Sequence, residues 1–404
     1  MSYRTATPPL KRSKSKRSKM YSRPKKKGKR PKKIIFFAPY RQNETSLFAV
    51  AMASFISRKL KEIRRYEFKY LTCDPVSDFC SPFVDPYVHR VVSPNDFSAY
   101  LDHCKAIYWF DDYTEYLKHS GCKDRYSPSP YKNYLFGDFT KWDADRMKTS
   151  EHYDTVIFPG TQISHRMMSL VSCFSNHAVF TGSYRAMATM RSTIKDDSRI
   201  GVVISMCSLN NPTNRFAILD NVERIVSTRD DLFVTLLMDG HSFKNEREVT
   251  EKIGLEYSDR CVIVNNFSDY EYLNILRQND VFVDLNPVNG VGYLMTAALH
   301  QGLFVAGFDQ PLYREILDDG KYGILFSGEK KEYGYGFDRV VPDWERVFTG
   351  LNNRLFKAET ISRFLSARND KPDLLAKLEA RLRPFYHMFD YFTNSKIRWC
   401  SFAY

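Results

Sequence analysis

Short apolar runs alternate with stretches of helical spacing along the whole chain. In the first half, Ile34–Phe37, Tyr66–Thr72, Ala106–Phe110, Tyr134–Phe136 and Thr155–Phe158 read as strands, and His177–Thr181 leads towards an interdomain linker. In the second half the same signal falls on Ile200–Ser205, Phe233–Met238, Cys261–Val264, Val281–Val283 and Leu303–Ala306. Between the first two strands, Leu47, Val50, Ala51 and Phe55 recur at helical spacing, which predicts a helix over Ser46–Lys61 capped by Thr45 or Ser46. Strands that are apolar throughout, separated by helices, belong in parallel sheets covered on both faces. The expected fold class is therefore α/β, with two doubly wound Rossmann-like domains.

The most ordered part of this pattern is Asp269–Gly328. Asp269–Arg277 is a short amphipathic helix with Tyr272, Leu273 and Leu276 on one face. Val281–Val283 is a buried strand, ended at Asn286-Pro287. Gly290-Val291-Gly292 is a turn, Tyr293–His300 a small-residue helix, and Gly302 its end. The unit is strand, glycine loop, helix, strand. A loop entering a helix N-terminus presents free amide N–H groups and the positive end of the dipole, which suits phosphate. The same pattern also serves as a plain crossover of an α/β sheet.

This segment resembles the donor-site segment of GT-B fold glycosyltransferases, in particular the retaining family 4. The resemblance is carried by Asn289-Gly290-Val291-Gly292, Ala297-Ala298, Gly302, Glu315, Gly320 and Gly323-Ile324-Leu325, in order and spacing. The family's two motif glutamates fall here on Asn289 and Ala297. The resemblance implies two domains facing a cleft, transfer of a sugar from a nucleotide-diphosphate sugar to an acceptor hydroxyl, and no bound metal or cofactor. It implies donor contacts at Asn266, Phe267, Asn289, Gly290, Val291, Gly292 and Tyr293. Asp138, after the strand Tyr134–Phe136, takes the place of the family's residue near the reacting end of the sugar, with Asp111-Asp112 as a second candidate pair. Arg215 is the one local cation able to stand in for the family's diphosphate clamp. The first loop, PYRQNETS, lacks the family's glycines and offers Arg41 instead. With a carboxylate missing at position 297, the donor is expected to bind weakly or unusually, or not at all in a non-catalytic relative.

At 404 residues the chain is long enough for two cores. The implied boundaries are a basic tail over 1–33, an N-terminal domain over 34–190, a donor domain over 199–355, and C-terminal helices returning to the first domain over 356–404. A linker is expected within Arg185–Ser198. The eight cysteines form no CxxC, which favours a reducing, cytoplasmic compartment over a disulfide or metal framework. No apolar run approaches the roughly 20 residues that span a membrane, and the basic N-terminus has no apolar core after it.

Charge adds one further expectation. The formal net charge is +13, but residues 1–33 hold 15 of the 60 Lys and Arg and no acid. The remaining 45 basic and 47 acidic residues leave the body at −2. Blocks of like charge repel themselves into disorder and bind polyanions. Nucleic acid and an anionic membrane surface both fit such a block. KRSKSKRSK and RPKKKGKRPKK also match nuclear localisation signals. This charge split favours a hydroxylated DNA base as acceptor, with viral and phage glycosyltransferases that modify DNA bases as a precedent of reaction class only, and a surface or lipid-linked glycan as the alternative.

Overall fold

The computed structural model describes residues 31–369, except 42, 64–65, 76–83, 120–129, 140–141, 143, 159–176, 180–198, 208, 210, 239–243, 266, 318–319, 321–322 and 334–336. Most of the basic tail, the expected linker, Asn266 and the chain beyond Asn369 lie outside the described residues.

In the first half the order is β1 (Lys32–Phe37), α1 (Glu44–Ile63), β2 (Tyr66–Thr72), β3 (Val88–Arg90), α2 (Pro94–Ser98), β4 (Cys104–Phe110), α3 (Thr114–His119), β5 (Lys132–Phe136), α4 (Ala144–Thr149), β6 (Thr155–Phe158) and β7 (His177–Val179). The second half continues with β8 (Ile200–Ser205), α5 (Pro212–Thr228), β9 (Leu232–Met238), α6 (Lys244–Glu256), β10 (Cys261–Asn265), α7 (Asp269–Arg277), β11 (Val281–Asp284), α8 (Tyr293–His300), β12 (Phe304–Phe308), α9 (Pro311–Ile316) and β13 (Ile324–Phe326). A hairpin, β14 (Glu329–Tyr333) and β15 (Phe337–Val341), then α10 (Trp344–Gly350), a π-helical turn over Leu351–Leu355 and α11 (Ala358–Asn369) complete the described chain. β1 begins inside the stretch assigned to the tail, because Lys32 and Lys33 pair with Tyr66 and Glu67 of β2.

Among the described residues the two main sheets are wholly parallel. Their orders are β3-β2-β1-β4-β5-β6-β7 and β10-β9-β8-β11-β12-β13. Each has its first strand near the centre and runs outward in both directions, as in a doubly wound fold. Ile35 of β1 lies between Lys69 and Ile107, and Val203 of β8 between Thr235 and Phe282.

Local chemistry sets the helix ends. Asn43, not Thr45 or Ser46, starts α1: its Oδ1 accepts from the Ser46 amide at 2.7 Å. Ser268 and Glu271 form a reciprocal capping box at the start of α7. Gly302, at φ +85°, follows the last turn of α8 in the left-handed region that favours glycine.

The two halves share one apolar core. It runs from Phe36, Phe37 and Trp109 through Leu47 and Phe48 of α1 to Tyr272, Tyr293 and Leu294 of the second half. Phe48 stacks on Phe136 at 4.5 Å and meets Tyr293 edge-on at 6.0 Å. Full burial of a phenylalanine is worth about 1.5–3 kcal/mol, so this contact holds the halves together as well as filling space. The other face of the second sheet has its own core of Ile204, Val222, Phe348, Leu355 and Ile361.

Candidate functional site

Doubly wound sheets place ligand sites outside the carboxyl ends of the strands, where the order reverses. Here the reversals lie between β1 and β4 and between β8 and β11. The segments that follow β1, β4, β5 and β11 meet around a cavity of about 140 Å3. Arg41, Asp111, Asp138 and Arg146 line it from the first half, and Asn286 and Val291 from the second. Three carboxylates, those of Glu44, Asp111 and Asp138, and two guanidinium groups thus face one polar space that both halves enclose.

Asp111 holds a strained backbone there. Its φ of +111° is outside the regions a side chain normally allows, directly after β4. Its amide donates to the Phe136 carbonyl at 2.8 Å, and its Oδ1 accepts from the Asp112 amide at 2.8 Å. Burial raises its carboxyl above the usual range, and Asp138 and Asp112 add to the rise, against Arg146 and the Asp112 amide. Trp142 packs behind Gly137, with its indole nitrogen buried and unbonded at the cavity wall.

Glu44, which lines the same cavity, belongs to a further polar group that sequence reasoning missed. Glu44, in the first turn of α1, is 5 % exposed. Its Oε1 accepts from the Leu294 amide of α8 at 3.0 Å, and its Oε2 accepts from Asn289 Nδ2 at 2.6 Å. Asn289 Nδ2 also lies 2.8 Å from the Tyr313 hydroxyl and 3.4 Å from Asp284 Oδ2. Tyr313 donates to the same Asp284 oxygen. Two buried carboxylates therefore share one amide. Burial pushes Glu44 up to about 8, helped by the nearby Asp284 charge. The Leu294 and Asn289 hydrogen bonds oppose the rise but are outweighed. Asp284 is pushed up to about 6 by burial, against hydrogen bonds from Tyr313, Asn286 and Asn289. The pair holds a proton near neutral pH.

The residues expected at the donor are placed as follows. Asn289 is buried, and its Oδ1 accepts from the amides of Val291 at 2.9 Å and Gly292 at 2.8 Å. Its own amide donates to Gln310 Oε1 at 2.6 Å. The asparagine therefore ties the loop to itself, and these loop amides already have acceptors. Gly290 is buried, and Val291 reaches the cavity. Gly292 has φ +65°, and an added Cβ would come within 2.7 Å of Ile316 and 2.9 Å of Leu312. Packing against α9 and the positive φ both require glycine there. Tyr293 and Phe267 are buried against Tyr272, at 6.4 and 5.7 Å. Asp138 lines the cavity. Arg215 is elsewhere: it is 1 % exposed and its guanidinium forms an ion pair with Glu246 of α6 at 2.5 Å.

Among the described residues no group of His, Cys, Asp and Glu has the arrangement of a metal site, and no helix is long and apolar enough to cross a membrane.

No protein-family model matches the chain, and no curated protein matches it in sequence. Solved structures do match in shape. Sucrose-phosphate synthase from Thermosynechococcus elongatus superposes with a TM-score of 0.60 at 11% identity, covering 90% of this chain and 100% of that one. A protein from Listeria monocytogenes named as a UDP-N-acetylglucosamine 2-epimerase gives 0.56 at 14% identity, covering 89% and 97%. The lipopolysaccharide outer core galactosyltransferase WaaB gives 0.53 at 12% identity, covering 90% and 100%. Coverage this complete, together with the two parallel sheets, gives the chain the two-domain α/β architecture of GT-B proteins.

Proposed function

We propose that this protein is a glycosyltransferase that moves a sugar from a nucleotide-diphosphate sugar to an acceptor hydroxyl. The observation that carries this reading is the cavity at the carboxyl ends of the central strands of both sheets, where Asp111, Asp138, Arg41 and Arg146 converge. In the reaction the bond between the anomeric carbon and the diphosphate breaks, and the acceptor oxygen bonds to that carbon. Asp138 takes the acceptor's proton, and Arg41 and Arg146 balance the charge that develops on the diphosphate. Asp111, raised by burial, holds sugar hydroxyls. Hydrolysis of a panel of UDP-, GDP- and ADP-sugars tests the reading, since a transferase without its acceptor usually leaks to water.

One observation favours a non-catalytic alternative. The amides of Val291, Gly292 and Leu294 are occupied by Asn289 and Glu44, so the loop does not offer them to a phosphate in this arrangement. A folded protein that neither binds nor hydrolyses any donor would establish that alternative.

For the acceptor, the charge of residues 1–33 supports a polyanion, and we favour DNA bearing a hydroxylated base. Duplex DNA affinity is then expected to fall steeply with salt, and to weaken greatly when residues 1–33 are removed. Co-sedimentation with anionic vesicles in the absence of any DNA mobility shift, at matched ionic strength, would point instead to a surface or lipid-linked glycan.

A further inference from the structure

A carboxylate from the first half of the chain sits at the N-terminus of a helix in the second half. Glu44 Oε1 accepts the Leu294 amide, one of the first-turn amides of α8 that no intrahelical bond satisfies. An external anion bound to that terminus would use the same group. Permanent caps of this kind are ordinarily Ser, Thr, Asp or Asn from the residue just before the helix. Here that residue is Gly292, which has no side chain, and the cap comes from 250 residues away in sequence.

We propose that Glu44 is a proton-dependent clasp: it joins the two halves by filling the N-terminus of α8, and it must withdraw before that terminus takes an anion of a ligand. The second clause rests on the glycosyl-transfer reading; the first does not.

The electrostatics give the clasp its direction. Glu44 faces Asp284 from β11 and Asp138 from the segment after β5, both of which disfavour its charged form. The phenols of Tyr313 and Tyr272 lie in the same field, and Arg41, Asp111 and Arg146 line the cavity that Glu44 also lines. The Leu294 amide and Asn289 favour the charge, but burial outweighs them, and the clasped carboxyl keeps its proton up to about pH 8. Once withdrawn into water it would ionise near its ordinary 4.5. Closing therefore takes up a proton, and over the pH window between those values the open fraction grows roughly tenfold per unit.

The test follows amide hydrogen exchange in the peptide containing Leu294, from pH 5 to 9, each rate divided by that of the same peptide in unfolded chain. The wild-type protein is compared with Glu44→Ala and Asp284→Asn. Protection in the wild type is expected to fall by about tenfold per pH unit and to level off above about pH 8. Glu44→Ala should show low protection that does not vary with pH. Asp284→Asn, which removes a neighbouring negative charge, should make protection level off at a lower pH. Equal wild-type protection at pH 5.5 and 8.5, or the same fall in Glu44→Ala, would overturn the clasp and leave a fixed structural cap. Calorimetry with UDP, GDP and ADP tests the displacement. The nucleotide that binds should bind more tightly at pH 8.5 than at pH 6 in the wild type, beyond any change seen in Glu44→Ala. The same pH dependence in both proteins would overturn displacement. Failure of all three nucleotides to bind would remove the glycosyl-transfer reading and displacement with it, while hydrogen exchange still decides the clasp.

Discussion

Glu44 and Asn289 lie 245 residues apart in sequence, and the Asn289 amide donates to the Glu44 carboxyl at 2.6 Å inside the protein. That bond links the start of α1 to the glycine loop before α8. It sits over the shared apolar core, where Phe48 meets Tyr293. The halves are thus joined by packing and by the hydrogen bonds that Glu44 accepts from Asn289 and from the Leu294 amide.

The first prediction concerns stability against pH. Glu44 has a folded value of about 8 against an ordinary 4.5, so over that range the native state holds a proton that the unfolded chain has lost. Its contribution is fully present below about pH 4.5 and is lost as pH rises to about 8, at up to about 1.4 kcal/mol per pH unit. Urea unfolding at pH 5.5 and 8 should show a smaller difference for Glu44→Ala than for the wild type. Equal differences would mean that Glu44 does not titrate between the two states in this range.

Gly292→Ala should destabilise the fold before it affects any ligand. The change places a Cβ at φ +65° and forces it against Ile316 and Leu312. Loss of a left-handed glycine and overpacking of a core together cost about 2–4 kcal/mol. A denaturant midpoint equal to the wild type would show that the loop relaxes without penalty.

Arg215→Ala should act on stability through Glu246. Removing one member of a buried ion pair leaves the other uncompensated, which typically costs about 3–5 kcal/mol. The double replacement Arg215→Met with Glu246→Leu should recover most of that loss, because neither charge then remains buried. The expected coupling is read from a double-mutant cycle in urea. A double variant no more stable than Arg215→Ala would mean that the pair is not the source of the effect.

Much of the fold was legible because buried parallel strands are apolar end to end. Thr155–Phe158, Ile200–Ser205, Asp269–Arg277 and Tyr293–His300 fall where the pattern puts them. The hairpin β14–β15 leaves no apolar pattern in the sequence, since Glu329–Tyr333 is mostly charged. Asp111 and Asp138 were identifiable as carboxylates directly after apolar strands, the position that a doubly wound sheet exposes to ligand. Asp284 carries the same signal, closing the run VFVD, but the glycines after it carry a stronger one for phosphate. Glu44 could not be found this way. Its place in the polar loop PYRQNETS looks like solvent exposure, and its burial depends on a partner from the other half. Arg215 misled for the converse reason: a cation near a helix start looks available, but its partner on α6 is 31 residues further on.

Hydrolysis of UDP-, GDP- and ADP-sugars by the wild-type protein and by Asp138→Asn tests the proposed function most directly. The proposal predicts release of nucleoside diphosphate from one donor class, lowered by about 100-fold or more in Asp138→Asn with the fold intact. No release from any donor by folded wild-type protein, with no donor binding by calorimetry, would contradict it.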